Sequence, residues 1–141
     1  MGAYPKYVVK REVVSDNEAA AKAAYQRGDY VSSFLLIHAL VEGLFRVFLG
    51  KTKGESFNCL IKAYEKFLIQ QGQTNTTFVK ELTEFNKRRN RVIHQLWRKG
   101  YTVTNEKLAP SCQAAFQVYG LFIEWLETFE PQITDYGFEY E

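Results

Sequence analysis

A chain of 141 residues with 46% hydrophobic and 24% charged side chains suits one domain with a single core and is too apolar for wholesale disorder. Its net charge of +2 is too small to argue for nucleic acid by itself. Cys59 and Cys112 lack the spacing of a metal site and the density of a disulfide scaffold, which leaves two reduced thiols in a cytoplasmic protein as the plain reading.

No His-x-x-x-His, no Cys-x-x-Cys and no cluster of oxygen ligands occurs, so neither a metal nor a cofactor is expected. No signal core opens the chain, and no apolar run reads as long enough to cross a bilayer. The aromatic share of 16% fits either a core built on Phe and Tyr or an aromatic surface for self-association. Charge is unevenly spread. Lys80, Lys87, Arg88, Arg89, Arg91, Arg98 and Lys99 are opposed locally only by Glu81 and Glu84, whereas Glu124 to Glu141 contains acids and no base.

In chain order, Met1 to Val14 reads as an arm without helical period. Ser15 followed by Glu18 forms a capping box that predicts the start of a first helix, ending at Arg27-Gly28. Asp29 caps a second helix to about Leu49, closed by Gly50. Its apolar residues Phe34, Ile37, Val41, Leu44 and Phe48 keep helical spacing, and Leu36, Leu40 and Val47 occupy other faces, so it is expected at the centre of the bundle. His38, Glu42 and Arg46 make a polar stripe along it. A third helix is predicted from Ser56 to before Gly72, with Leu60, Ile61, Tyr64, Phe67 and Leu68 as its core face. A fourth runs from Thr77 to Arg98 and stops at Gly100. A fifth runs from the Pro110 region to Pro131, either starting there or beginning near Thr104 with Pro110 as a kink. Short loops and the lack of strand signals predict an all-α, up-and-down bundle of four to five helices. The organisation is an arm (1–14), a helical domain (15–131) and an acidic tail (132–141).

The fourth helix carries the functional signal. At 100° per residue, Leu82, Phe85, Val92, Ile93 and Leu96 define its apolar face, and Arg89 falls in the middle of it. A guanidinium there needs a partner, and Glu42 on the second helix is the obvious one, as a buried ion pair or as support for a site. Asn90 and His94 are neighbours one turn apart, so an amide could orient the imidazole of a general acid or base. His94 could equally be a satisfied histidine beside Trp97, and the run of bases a solvated helix face.

The pattern Arg89-Asn90-Arg91-Val92-Ile93-His94, late in a helix of a small all-α chain, resembles the signature of the HEPN family (higher eukaryotes and prokaryotes nucleotide-binding domains). The layout is similar too: Gly28-Asp29-Tyr30 leads into a long apolar helix carrying Glu42, then a third helix, then the motif helix. The resemblance implies a metal-independent endoribonuclease, often the toxin of a toxin–antitoxin or defence system, acting as a homodimer whose two motifs share a cleft. In that reading His94 is base or acid, Arg89 holds the phosphate, and Asn90 orients His94 or donates to the phosphate. Lys87, Arg88, Arg91 and Arg98 hold the RNA backbone. A cognate antitoxin is an expected partner. The resemblance does not extend to control by nucleotide attachment, because Leu96 stands where some toxins carry Tyr. Arg89 and His94 lie about 140° apart on an ideal helix, so either α-helical geometry is distorted there or a second subunit completes the site. The alternatives are a non-catalytic HEPN-like module that binds nucleotide, RNA or protein, and a plain helical interaction protein.

Overall fold

The computed structural model describes residues 11–49, 56–72 and 77–129. These residues form six helices and no strand: α1 (Arg11–Gln26), α2 (Tyr30–Leu49), α3 (Phe57–Gln70), α4 (Thr77–Lys99), α5 (Tyr101–Glu106) and α6 (Ala109–Phe129). The all-α bundle expected from the sequence is therefore present, with one helix more than expected. Residues 1–10 of the arm, the stops at Gly50 and Pro131, and the acidic tail lie outside the described residues.

Helix α2 is the axis of the bundle and packs against each of the other five described helices. That position answers its composition: Val31, Phe34, Ile37, Leu40, Val41, Leu44, Phe45 and Val47 are all buried, and no single face could hold so many. Contrary to the sequence expectation, α2 is long and apolar enough to cross a membrane, but more than half of it is buried inside the bundle. The aromatic residues largely enter the core. Phe45 stacks on Phe122, Tyr64 meets Trp125 edge-on, and Phe48 does the same with Phe67.

Helix α1 is already helical at Arg11, so the capping box at Ser15 sits inside a helix and does not start it. Val14, Ala21 and Ala24 are buried at helical spacing, and this stripe carries the helix through Ser15 because packing outweighs a local cap. Glu18 instead accepts a hydrogen bond from the Tyr119 hydroxyl of α6. Ser56 does cap α3, its hydroxyl accepting from the Cys59 amide at 3.2 Å. Pro110 lies in the first turn of α6, where its missing amide hydrogen costs nothing. The two thiols are free, Cys59 exposed and Cys112 buried.

The additional helix, α5, has an identifiable task. Gly100 adopts φ +86, a left-handed turn that glycine makes without strain, and the chain swings back to the α1–α2 turn. There the Tyr101 hydroxyl donates to Asp29 Oδ1 at 2.6 Å, while Asn105 donates to the Gly28 carbonyl at 2.7 Å and accepts from the Val31 amide at 3.0 Å. Asp29 also accepts from the Ser32 amide at 3.2 Å. Two of the unpaired amides at the start of α2 are thus satisfied, one by the expected cap and one by a side chain seventy-four residues away. Asn105→Ala should lower stability by about 1–3 kcal/mol, since it strands a part-buried amide and carbonyl. Tyr101→Phe, at an exposed bond, should cost less. Urea unfolding of the two variants checks the order.

Candidate nucleic-acid interface

Helix α4 has 23 residues against 14 in α3, and this mismatch shapes the surface. The two helices are pinned near the start of α3, where Asn86 donates to Asn58 Oδ1 at 3.1 Å. Up to that level Val79, Leu82, Phe85 and Asn86 of α4 are buried. Beyond it only Val92 is, about 80° round the helix from Leu82, on the side where α5 and α6 pack. The core face of α4 therefore turns along its length. Ile93 is 38% exposed and Trp97 75% exposed, although the sequence pattern assigned Ile93 to the apolar face. Among the described residues this overhang is covered only in part, with Leu96 still packed against the core and Trp97 open to solvent.

Arg89 lies at the start of the overhang, half-buried. Its Nη1 donates to Asn90 Oδ1 at 3.4 Å. The expected pairing of Arg89 with Glu42 does not form. Glu42 Oε2 accepts from Arg46 at 2.8 Å, and Glu42 Oε1 lies 3.8 Å from His38 Nδ1. Arg46 wins because it sits one turn away on the same helix and needs no reach across an interface. Glu42 therefore does not support Arg89 by contact.

His94 is exposed. The Arg98 guanidinium donates to its Nε2 at 3.3 Å. Arginine has no acceptor, so the ring proton of His94 is on Nδ1. The Trp97 ring stands perpendicular to the imidazole, 5.7 Å away. Asn90 does not fix the His94 tautomer as expected, because its carbonyl oxygen is turned to Arg89. The two residues nevertheless share a shallow hollow with Arg91 and Gln95. Arg89, Asn90 and His94 are thus brought to one stretch of surface, with Arg89 and His94 on either side of the exposed Ile93–Trp97 strip.

The four predicted backbone-holding bases divide. Arg98 stands beside His94. Lys87 pairs with Glu84 at 3.7 Å. Arg88 and Arg91 turn into a cleft of about 240 Å³ between α4, α5 and α6, where they meet Lys99 and Lys107. Lys107 was not legible as part of this surface, since it belongs to a different element.

Comparison of the chain with family models, curated proteins and solved structures finds no match. The likeness to the HEPN family rests on the residues themselves.

Beneath this surface runs a polar chain that the sequence did not reveal, from buried His38 and Asn86 out to exposed Asn58. His38 is 4% exposed, packed between the rings of Phe57 and Phe85. Its Nε2 lies 3.3 Å from Asn86 Oδ1, and Asn86 in turn donates to Asn58. Because the Asn86 amide nitrogen is committed to Asn58, its oxygen accepts from His38 Nε2–H, which sets the tautomer of the neutral ring. Burial lowers the His38 pKa from 6.5 to about 4; Glu42 and the bond to Asn86 oppose the shift and the charge of Arg89 adds to it. A histidine depressed in this way takes up a proton more readily in the unfolded chain. Its contribution to stability is whole above about pH 6.5 and is lost as the pH falls to about 4, a loss on the order of 3 kcal/mol. His38→Gln keeps a donor for Asn86 and removes the titration. Denaturant unfolding between these pH values should show a shallower decline for the variant than for the wild type.

Proposed function

We propose that the protein is a metal-independent endoribonuclease of the HEPN type, acting as a homodimer, with Arg89, Asn90 and His94 of α4 at its reaction centre. The observation that carries this reading is the overhang of α4. It presents a guanidinium, an amide and an imidazole to solvent, flanks them with Arg91 and Arg98, and leaves Ile93 and Trp97 uncovered between Arg89 and His94. Large exposed apolar side chains set among charges mark association surfaces. In a two-fold dimer the same patch serves both protomers, so a second copy seated on this strip covers the tryptophan and lays its own catalytic groups along the same groove. One chain alone offers only a shallow hollow, too open to exclude water from a reacting phosphate.

The chemistry needs a base, an acid and positive charge. An imidazole takes the proton of a ribose 2′-hydroxyl as that oxygen attacks the adjacent phosphorus. The bond from phosphorus to the 5′-oxygen breaks, and a second imidazole gives its proton to the departing oxygen. The products are a 2′,3′-cyclic phosphate and a 5′-hydroxyl, and no external water is consumed in this step. His94 and the partner's His94 supply the two imidazoles. Arg89 offers two parallel donors to the phosphate oxygens as charge builds on them, and its bond to Asn90 holds the fork at the surface. Arg98 occupies His94 Nε2 in the free protein and swings onto the phosphate when that nitrogen takes up its proton. In biological terms the reading is a cytoplasmic toxin of a toxin–antitoxin or defence system, restrained by a cognate antitoxin. The Arg98 contact also favours a second reading, in which the same surface binds RNA without turnover.

His94→Ala and Arg89→Ala should each reduce cleavage of single-stranded RNA by at least about 10²-fold, with unchanged helicity by circular dichroism. Because Glu42 keeps Arg46, Arg89→Ala should cost no more than about 1 kcal/mol in stability. Retained cleavage by both variants removes these residues from the mechanism, whereas binding without product in the wild type selects the second reading. Trp97→Glu should leave a folded monomer by analytical ultracentrifugation and abolish cleavage with it.

A further inference from the structure

The cleft between α4, α5 and α6 lies on the side of α4 away from the Ile93–Trp97 strip, and the reaction described above makes no use of it. Arg88, Arg91 and Lys99 enter it from α4, Lys107 from the end of α5 and Ser111 from the first turn of α6. Its lining contains no carboxylate. None of the four bases makes an ion pair or a hydrogen bond with another described residue, since the nearby Glu84 is engaged by Lys87. Four like charges converging from two elements raise one another's energy, and apolar walls such as Val92 and Leu108 focus their field into the cleft. An anion relieves that repulsion, and Ser111 adds a hydroxyl donor.

Size and position narrow the choice of anion. At about 240 Å³ the cleft is smaller than the roughly 300–1,000 Å³ of pockets that enclose a drug-sized ligand. It admits a phosphate with part of its sugar and leaves a base outside. Arg91 and Gln95 line both this cleft and the hollow at His94, so the two are continuous over the back of α4. We propose that the cleft is a second phosphate subsite, holding the backbone of the same single-stranded RNA beyond the phosphate at His94. This inference rests on the ribonuclease reading for the identity of the strand, but its geometry is independent of catalysis.

The test uses the full chain and a 2′-O-methyl oligouridine, which lacks the attacking hydroxyl and stays intact. Binding is measured from about 50 to 200 mM salt, where each lost phosphate contact lowers the slope of log affinity against log salt by about 0.7 for a single strand. Lys99→Ala/Lys107→Ala should lower that slope by about 1.4 and weaken low-salt binding on the order of tenfold. On cleavable RNA the same variant should raise KM and leave kcat unchanged. Lys62→Ala/Lys66→Ala removes the same charge from exposed positions on α3 and should change little. Equal losses in the two double variants overturn the subsite and leave the reaction centre standing, because only the overall field would then matter. Absence of wild-type binding at the lowest salt also overturns it. Undiminished cleavage by His94→Ala beside a selective loss in the Lys99/Lys107 variant overturns the catalytic reading and retains the cleft.

Discussion

The ion pair between Arg46 and Glu42 sets the terms for the rest of this surface. Glu42 sits half-buried on the helix that every other described helix packs against, where an unanswered carboxylate is costly. Arg46 answers it from one turn away at 2.8 Å. With that demand met within α2, no base has to cross from α4, and Arg89 is free to lie against Asn90 at the edge of the bundle. Were Glu42 to claim Arg89 instead, the guanidinium would be locked inward and the α4 surface would lose the group proposed to hold the phosphate.

The second constraint is one of length. Helix α4 outruns α3 by nine residues, and α5 and α6 cover the excess on one side only. The projecting segment is consequently divided lengthwise: Val92 faces the core, an apolar strip with Arg89 and His94 faces outward, and a third side closes a basic cleft with Lys107. Each side has its own proposed use, namely stability, catalysis through association, and grip on the RNA backbone. The turn at Gly100 that ends α4 also begins α5, so the latch of Tyr101 and Asn105 onto the α1–α2 turn fixes the wall of the cleft as well as the start of α2.

The polar chain from buried His38 through buried Asn86 to exposed Asn58 ties α2, α4 and α3 together just below Arg89. Its two buried members, His38 and Asn86, are satisfied within it, which is how polar groups persist in a core. A neutral histidine there holds Phe57 and Phe85 in edge and tilted contact and gives the base of the α4 overhang a defined seat. The charge of Arg89 reaches this ring, so the surface arginine and the buried histidine share one electrostatic neighbourhood without touching.

Helix identity was legible from the sequence wherever a local rule operates. Asp29 caps α2 as expected, α3 begins beside Ser56, Gly100 ends α4, Pro110 takes the first-turn place that was one of its two options, and the all-round apolarity of α2 marks it as the central helix. Nearest neighbours in sequence determine these features, through hydrogen bonds and spacing of one to four residues. The capping box at Ser15 is the instructive failure: a local signal yielded to the burial of Val14, which depends on a surface formed by other helices. The placement of Arg89 failed for the same reason. A helical wheel treats a helix as uniformly covered along its length, whereas α4 is covered by α3 for only part of it and by α5 and α6 thereafter. Which asparagine holds His38, and where Lys107 joins Arg88, are decided between residues on different helices, far apart in the chain. Only tertiary packing brings such groups within reach of one another.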